Sequence, residues 1–262
     1  MLADRILLLA PHPDDELVGC ATAIRRARAE GCTVSVLFLT SGVPRVECFW
    51  PWQRETHLSR ISIRWQEAMR AARHAGFAVA GRQNVASRTL KENIGATLDL
   101  IRATMRELAV QVVWTPAYEG GHQDHDVTHF IAGRLPPGIP VWEFAEYNFA
   151  GGQVQANRFP DARDGEEAIV LDQREIQEKL AALKIYRSER RNLKHCTVAR
   201  EAFRPFAPAD YDRQPHPGTL FYQRFQWVPK HPRIDHCRPV EVSAAIRGWL
   251  ARSDDAARAA TI

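Results

Sequence analysis

Two apolar runs flank a helical stretch within the first 40 residues, and this arrangement limits the chain to few folds. Residues 5–10 (RILLLA) and 33–39 (TVSVLFL) both predict buried strands, and the second run is rich in β-branched and large apolar residues. Residues 17–30 carry small and apolar residues at helical spacing and end before Gly31. Strand, helix and strand in this order predict a right-handed βαβ unit with parallel strands.

The alternation of helices and strands continues to residue 144. Apolar side chains three and four apart predict an amphipathic helix over residues 54–75, closed by Gly76. Further elements follow from similar patterns: a helix over 90–108, a strand over 112–115, a helix opening near Asp124 and a strand over 141–144. This order predicts an α/β fold with a Rossmann-like, mostly parallel sheet and helices on both faces.

The chain becomes less regular after residue 148. Composition and periodicity assign four segments there: loops at 151–153 and 161–167, and helices at 171–186 and 242–251. Residues 204–239 combine prolines with aromatic side chains, which predicts extended strands and turns along a cleft or a sheet edge. We expect a single domain over residues 1–262, with a core of about residues 1–150 and an irregular C-terminal elaboration of about residues 151–262.

Composition and charge narrow the class of protein. The chain is 45% hydrophobic and 25% charged, which is ordinary for a soluble globular protein. Its formal charge of +4 comes from scattered basic residues, which disfavours a nucleic-acid partner because that function needs a concentrated basic face. The apolar run at residues 6–9 is too short for a signal segment, and no run reaches membrane-spanning length, so we predict a cytoplasmic protein. The oligomeric state stays open, with a homo-oligomer as one option.

The cysteines restrict the kind of metal site that this chain can form. There are five, an odd number, and none forms a C-x-x-C pair. This pattern argues against a disulfide framework and against a thiolate zinc site. The ligands of any bound metal must therefore be sought among histidines and carboxylates.

The segment PHPDDE at residues 11–16 lies where the first predicted strand ends and the first helix begins. Ligands bind at this carboxyl edge in open parallel sheets. His12 and Asp15 are three apart across a tight turn, which can bring imidazole and carboxylate together as a zinc-binding pair, and leaves Asp14 free to face a metal-bound water. The alternative is that Asp14 or Asp15 caps the helix and Glu16 complements its dipole. Capping explains one acid but not three acids beside a histidine.

A second cluster, EGGHQDHD at residues 119–126, follows the predicted strand at 112–115 and is expected at the same sheet edge. A catalytic zinc takes three protein ligands, and His12 and Asp15 with one histidine of this cluster meet that number. His125 and His129, four apart on a predicted helix, could instead form their own zinc-binding pair. This alternative lacks the glutamate after the first histidine that a zincin needs, so we predict that His129 serves packing or lies at the surface.

Four motifs follow one another over roughly residues 5–145: PHPDDE, then T-x-G at Thr40 to Gly42, then R-x-x-E at Arg64 and Glu67, then H-x-D-H at residues 122–125. With these motifs in this order, the chain resembles the PIG-L/LmbE family of zinc-dependent N-deacetylases. Spacing alone would make Arg64 and Glu67 an exposed ion pair of small energetic value. Weaker similarity extends to Lys179, Tyr186, Ser188 and residues 215–222.

The resemblance implies roles for individual residues. It makes His12, Asp15 and His125 the ligands of a Zn²⁺ cofactor, and it makes Asp14 the general base. It also implies that His122 acts as an imidazolium at the oxyanion, oriented by Asp124, and that Arg64 lies near the substrate.

The resemblance also implies a substrate that bears an N-acyl amine. Family members act mainly on N-acetylglucosamine-containing glycans, glycolipids or pseudodisaccharides, so we expect a small molecule or glycan of this kind. Some relatives place a tyrosine two residues before the first histidine of H-x-D-H, whereas this chain has Gly120 there and Tyr118 further back. We expect Tyr118 to contact the substrate in place of that tyrosine.

Three alternatives come from other functional classes. A phospho-receiver domain also sets an acidic pair after its first strand, but it needs neither His12 nor the second cluster and is about half as long. A binding protein without catalysis is a second alternative, although every expected ligand and the base are present. The third is a zinc amidase that acts on a non-sugar or thiol-conjugate amide.

Overall fold

The computed structural model describes residues 1–229 and 231–259. Its central sheet has seven strands in the spatial order β3-β2-β1-β4-β5-β9-β8. The strands of this sheet are β1 (Arg5–Ala10), β2 (Thr33–Phe38), β3 (Ala78–Arg82), β4 (Val112–Pro116), β5 (Val141–Phe144), β8 (Glu167–Val170) and β9 (Arg200–Pro205). The strands β6 (Tyr147–Asn148) and β7 (Gln155–Ala156) form a separate antiparallel pair. Strands β1 to β5 pair in parallel, whereas β9 is antiparallel to both β5 and β8, so the expected mostly parallel α/β sheet is confirmed.

Helices cover both faces of this sheet. They are α1 (Asp15–Ala29), α2 (His57–Ala75), α3 (Ile94–Glu107), α4 (Gln123–Ala132), α5 (Gln173–Leu183) and α6 (Pro239–Ala259). Side chains of β1 alternate between two hydrophobic clusters: Leu8 packs with residues of α1, α2 and α5, while Leu7 and Leu9 pack with residues of α3, α4 and α6. The two-residue repeat of a strand therefore divides the core into two layers. No helix among the described residues is long and apolar enough to cross a lipid bilayer.

Most predicted elements of the first 145 residues are present. The bounds of β1 and β5 agree with the prediction, and α1 begins at Asp15, two residues earlier than expected. The predicted helices over 54–75 and 90–108 are shorter, because 3₁₀ turns at Pro51–Thr56 and Leu90–Glu92 precede α2 and α3. Strand β3 was not predicted, since its sequence AVAGR is short and consists largely of small residues.

The C-terminal region departs more from the prediction. Extended strands over residues 204–239 were wrong for most of that range: β9 ends at Pro205, and loops with a 3₁₀ turn at Phe221–Gln223 follow. Proline cannot donate a hydrogen bond to a ladder, so a proline-rich segment favours turns over strands. Strand β8 begins at the end of the predicted loop 161–167, and its largely exposed side chains show no alternation from which a strand could be predicted. Helix α6 is longer than the predicted 242–251.

The strand order brings two loops of the chain together. Strand β1 pairs with β2 on one side and with β4 on the other, so the chain passes to opposite sides of β1. Such a switch point in a parallel sheet opens a crevice at the carboxyl ends of its strands. The loop after β1 and the loop after β4 both lie at this crevice, as the sequence predicted.

Candidate metal centre and active site

The turn from β1 into α1 is strained at Asp14. This residue has φ +132° and lies at the N-cap position, but its side chain makes no capping hydrogen bond. The neighbouring acids are engaged elsewhere: Asp15 Oδ2 accepts from His12 N at 2.6 Å, and Glu16 Oε2 accepts from Asp14 N at 3.0 Å. The helix-capping interpretation is therefore wrong for Asp14. Strain of this kind is concentrated at functional sites, where the surrounding structure maintains it.

Three donor atoms form a nearly equilateral triangle at the crevice. His12 Nδ1 lies 3.2 Å from Asp15 Oδ2, which lies 3.3 Å from His125 Nε2, and that nitrogen lies 3.3 Å from His12 Nδ1. A tetrahedral zinc ion with ligand bonds of about 2.0–2.1 Å separates its ligand atoms by roughly 3.3–3.4 Å. The spacing of these atoms therefore fits a zinc-sized ion. The side chains of His122 and Glu146 extend the cluster, forming the groups His12–His122–His125 and Asp15–His125–Glu146.

Asp124 holds His12 in the orientation that this triangle requires. Asp124 Oδ2 lies 3.0 Å from His12 Nε2 and accepts from Arg88 N at 2.6 Å, while its other oxygen accepts from Leu90 N at 3.2 Å. A hydrogen bond at the second ring nitrogen fixes the tautomer, with the proton on Nε2. The lone pair of Nδ1 is then available to a metal ion. The sequence-based expectation that Asp124 orients His122 needs correction, because the carboxylate lies 3.7 Å from His122 Nδ1.

The surrounding carboxylates make the position of His12 favourable for positive charge. Burial opposes the charged imidazole, but Asp15 and Asp124 outweigh burial and raise the pKa of His12 to about 10. Burial likewise opposes ionisation of Asp124, yet the hydrogen bond to His12 lowers its pKa. Two ionised carboxylates therefore face this position, and a bound cation would meet the same attraction.

His122 caps helix α4 with its ring. Its Nδ1 accepts a hydrogen bond from Asp124 N at 3.1 Å, and the ring lies edge-on to His12 with the centroids 4.4 Å apart. Burial and the neighbouring His12 lower the pKa of His122 well below its ordinary value. These contacts favour a neutral imidazole with its proton on Nε2, rather than the imidazolium that the resemblance implied.

Asp14 is paired with a buried arginine from helix α2. Arg64 Nη2 lies 3.1 Å from Asp14 Oδ1 and Nη1 lies 3.4 Å from Oδ2, and Nη1 also lies 3.3 Å from Glu189 Oε1. Burial raises the pKa of Asp14, Arg64 lowers it, and the resulting value is about 7. The exposed Arg64–Glu67 ion pair was wrong: both side chains are buried, and Glu67 accepts from the backbone and hydroxyl of Ser188.

The T-x-G motif after β2 lies next to the Asp14–Arg64 pair. Thr40 Oγ1 donates to Pro11 O at 2.8 Å and accepts from Gly42 N at 3.1 Å, which joins the loop after β2 to the loop after β1. Gly42 has φ +69°, and a Cβ there would lie 2.8 Å from Arg64 Nη2 and 2.9 Å from Pro13 Cδ. Only glycine therefore fits this position without displacing the arginine.

Two residues considered from sequence lie outside the cluster. Tyr118 donates its hydroxyl to Arg213 O at 2.6 Å, so its polar end is bound away from the zinc-sized triangle. His129 is buried, with Nε2 2.7 Å from Glu143 Oε2 and Nδ1 2.7 Å from the Tyr211 hydroxyl. Both ring nitrogens of His129 are thus used in packing, which confirms that prediction and removes the His125–His129 pair as a ligand set.

Two polar residues after β5 were missed in the sequence. Glu146 is fully buried with Oε2 3.9 Å from His125 Nδ1, and the Tyr147 ring centroid lies 5.5 Å from that of His125. Burial, together with the charges of Asp15 and Glu119, raises the pKa of Glu146 well above its ordinary value. Their position directly after a predicted parallel strand was the available signal, because that strand ends at the same sheet edge.

A cleft of about 740 Å³ reaches Gln123, the residue that follows His122. Its walls come from three segments, within residues 45–54, 87–92 and 231–241, together with Gln123. The third segment belongs to the C-terminal elaboration, and its Asp235 Oδ2 lies 4.0 Å from His122 Nε2. The cleft therefore reaches the histidine cluster at Asp235, a residue for which the sequence provided no motif.

Residues 7–135 match the family model described as PIG-L: GlcNAc-PI de-N-acetylase. The chain carries a PIG-L family domain. The 2'-N-acetylparomamine deacetylase of Streptomyces fradiae is 28% identical over 169 residues, which cover 58% of this chain and 60% of that relative. The match thus spans about 60% of the length of this curated relative.

Solved structures share the fold of this PIG-L domain protein at low identity. A deacetylase from the biosynthesis pathway of teicoplanin superposes with a TM-score of 0.62 and 18% identity, covering 79% of this chain and 99% of that one. The 4-carboxy-2-hydroxymuconate hydratase GalB of Pseudomonas putida superposes with a TM-score of 0.51 and 16% identity, covering 79% of this chain and 98% of that one. Because one fold accommodates both reactions, the chemistry has to be argued from the site.

Residues beyond the matched PIG-L region hold the elements of the candidate site in place through buried polar contacts. Tyr186 donates its hydroxyl to Glu16 Oε1 at 2.7 Å, and Lys179 Nζ lies 2.8 Å from both Glu201 Oε1 and Val18 O. Phe221 N donates to Gly120 O at 3.0 Å and so attaches residues 215–222 to the loop after β4. The weaker sequence similarity at these positions thus corresponds to residues that stabilise the site.

Proposed function

We propose that this protein is a zinc-dependent hydrolase that removes an N-acetyl, or another N-acyl, group from an amino-sugar-containing substrate. The observation that carries the proposal is the triangle of His12 Nδ1, Asp15 Oδ2 and His125 Nε2 beside the buried Asp14–Arg64 pair. A metal-sized donor set next to a carboxylate with a pKa of about 7 suits attack of water on an amide. The PIG-L domain and the paromamine deacetylase relative support the same reaction class.

We assign His12, Asp15 and His125 as the residues that would hold the zinc. When bound, zinc lowers the pKa of a coordinated water molecule and polarises a substrate carbonyl. Asp124 serves this site indirectly, because it keeps the His12 ring in the tautomer whose Nδ1 faces the other two ligands.

Asp14 is the proposed base. Its carboxylate takes a proton from the attacking water, and Arg64 holds both carboxylate oxygens so that the group keeps one orientation. A pKa of about 7 allows Asp14 to be ionised before the reaction and to carry the proton afterwards. The protonated Asp14 then returns this proton to the leaving nitrogen, so that water and the amide give a carboxylic acid and a free amine.

His122 is proposed to assist as a neutral hydrogen-bond donor. Its Nδ1 is occupied by the backbone of Asp124, which leaves Nε2–H to donate to the carbonyl oxygen as negative charge develops there. The lowered pKa makes His122 a poor store for a transferable proton. We therefore assign protonation of the leaving amine to Asp14.

The proposal is tested by measuring acetate and free amine released from matched substrates by the zinc-loaded protein. The panel contains N-acetylglucosaminides, an N-acetylated aminocyclitol glycoside, a non-sugar N-acetyl amide and an N-acyl thiol conjugate. We expect equimolar acetate and amine from the amino sugars, loss of both in Asp14→Asn, and unchanged rates in the exposed-site control Asp210→Asn.

Two outcomes would contradict the proposal in different ways. Turnover confined to the non-sugar or thiol-conjugate amides would identify the alternative amidase. Hydration of an unsaturated carboxylic acid without acetate release from any amide would instead favour a reaction of the kind that GalB carries out.

A further inference from the structure

The C-terminal segment that lines the cleft is held in a defined position. Arg88 Nη1 donates to Ile234 O at 2.9 Å, and Gln226 Nε2 donates to the carbonyl oxygens of Asp235 and Cys237 at 2.9 and 2.8 Å. These bonds join the segment to the loop before α3 and to the preceding C-terminal loop. The segment therefore presents its side chains to the cleft from a fixed backbone.

Asp235 is the carboxylate that this segment brings nearest to the cluster. It is only 7% exposed, with Oδ1 accepting from Cys237 N at 2.9 Å and Oδ2 accepting from Gln123 Nε2 at 2.7 Å. Among the described side chains, His122 is the one basic group within 4.0 Å of its carboxyl oxygens. A carboxylate has about four acceptor sites, and these two bonds use one on each oxygen.

The distance between Asp235 and His122 separates two possible roles. A separation of 4.0 Å between Oδ2 and Nε2 is too long for a hydrogen bond, so Asp235 does not hold the ring directly. Asp235 instead lines the cleft together with Gln123, and His122, the residue before Gln123, lies beside Asp235. A substrate group bound to Asp235 would lie beside His122, and the His12 ring is the next neighbour of His122.

We propose that Asp235 binds a hydroxyl or ammonium group of the amino sugar next to the scissile amide, and so determines which substrates are positioned for reaction. This inference rests on the proposed deacetylase function and names the chemistry that the cleft recognises. A buried carboxylate that lines a cleft gains from donors at the acceptor sites that Cys237 and Gln123 leave open, and hydroxyl and ammonium groups are the donors that an amino sugar provides. Burial also raises the pKa of Asp235, which such a donor would counteract.

The test compares wild type and Asp235→Asn on an N-acetylglucosaminide, its monodeoxy analogues and the corresponding aminodeoxy analogues. We expect wild type to lose about 10- to 100-fold in kcat/KM on one deoxy analogue, the usual worth of a hydrogen bond to a charged group. Asp235→Asn should show a similar loss on the parent sugar, mainly in KM, and little further loss on that analogue. If Asp235→Asn loses kcat/KM selectively on the aminodeoxy analogue, the group bound by Asp235 is an ammonium.

Several controls keep this inference separate from the proposed function. Asp210→Asn, an exposed aspartate of the same C-terminal region, should match wild type, and zinc content and melting temperature should be unchanged in Asp235→Asn. If that variant fails to fold, Asp235→Ser provides the same comparison, because its hydroxyl leaves a polar atom for Gln123. If Asp235→Asn loses kcat equally on every analogue, the proposed role of Asp235 is wrong and the proposed function stands. If wild type releases no acetate from any sugar, both proposals are wrong.

Discussion

Arg64 and Asp14, 50 residues apart in the chain, meet through both terminal guanidinium nitrogens and both carboxylate oxygens. The arginine is fully enclosed and its Nη1 also contacts Glu189, so the pair forms inside the protein rather than at its surface. A planar guanidinium fixes the plane of a carboxylate as well as its charge. Arg64 therefore acts on Asp14, and we assign it a positioning role in place of the predicted contact with substrate.

Two substitutions at Arg64 should separate charge from geometry. Arg64→Lys keeps the charge but loses the planar pair of guanidinium nitrogens that contacts both carboxylate oxygens. The value of kcat should therefore fall about 10- to 100-fold, with the acidic limb of the pH profile little changed. Arg64→Gln removes the charge that lowers the pKa of Asp14, so that pKa rises and the base becomes ionised only at higher pH. The acidic limb of kcat/KM should then move to higher pH. If the acidic limb of the kcat/KM profile stays at its wild-type pH in both variants, Arg64 does not control the ionisation of Asp14.

Asp14→Asn should abolish most of the activity while the metal is retained. The amide keeps the shape of the side chain but cannot take a proton from water, so kcat should fall by about 10² to 10⁴. Steady-state kinetics and elemental analysis on the same sample provide the measurement. Loss of zinc together with activity would make Asp14 a ligand instead of the base.

The zinc-sized triangle predicts which variants lose metal. Purified protein should bind about one zinc ion per chain, and His12→Ala and Asp15→Ala should each abolish that binding because three protein ligands are needed. His129→Gln is the matched histidine control and should retain zinc, since both of its ring nitrogens contact Glu143 and Tyr211. Undiminished zinc in both His12→Ala and Asp15→Ala would place the metal elsewhere.

Asp124→Asn distinguishes the structural assignment of this residue from the sequence-based one. If Asp124 orients His12, the zinc dissociation constant should rise about 10- to 100-fold, as is typical for the loss of a partner that holds a ligand. Competition with a chelator of known affinity measures this constant. If Asp124 acts chiefly on His122, kcat should fall while the zinc affinity stays at the wild-type value.

Glu143→Gln should destabilise the fold without altering the site directly. Glu143 accepts from Arg204 and lies 2.7 Å from His129 Nε2, and all three side chains are buried. The substitution removes the buried charge partner of the arginine and leaves it only the more exposed carboxylate of Asp161. A loss of about 3–5 kcal/mol in the free energy of unfolding is expected at pH 7. Glu166→Gln, at the more exposed ion pair with Arg200, should cost less than about 1 kcal/mol.

The same carboxyl predicts a pH dependence of stability. Burial opposes its ionisation, but the hydrogen bond from His129 and the charge of Arg204 prevail and lower the pKa of Glu143 below 4.5. A lowered pKa in the folded state contributes stability that is present above about pH 4.5 and is lost as the pH falls through the folded value. Urea unfolding of wild type and Glu143→Gln from pH 7 to pH 3 should converge at low pH. A constant difference across this range would contradict the assignment.

The sequence by itself determined the layered fold and the place of the site. Apolar runs and helical spacing predicted β1, α1, β2, β4 and β5, because their periodicity is a local property of the chain. The motifs at residues 11–16 and 119–126 follow neighbouring strands, and parallel strands end at one edge of a sheet. That reasoning placed His12 and Asp15 beside one histidine of the second motif, the resemblance to the PIG-L family indicated His125, and these three side chains lie together in the structure.

The tertiary structure decided which partner each polar side chain meets. The carboxylate of Asp124 is within hydrogen-bond distance of His12 rather than of the nearby His122, Arg64 turns toward Asp14, and Asp235 lines the cleft from a segment without a motif. Spacing along a strand or helix determines which face a residue occupies, but hydrogen bonds between distant segments depend on side-chain orientations that only the packed chain determines. For the same reason the short strand β3 and the exposed strand β8 were not predicted, since pairing with their neighbours, and not a pattern of their own, makes them strands.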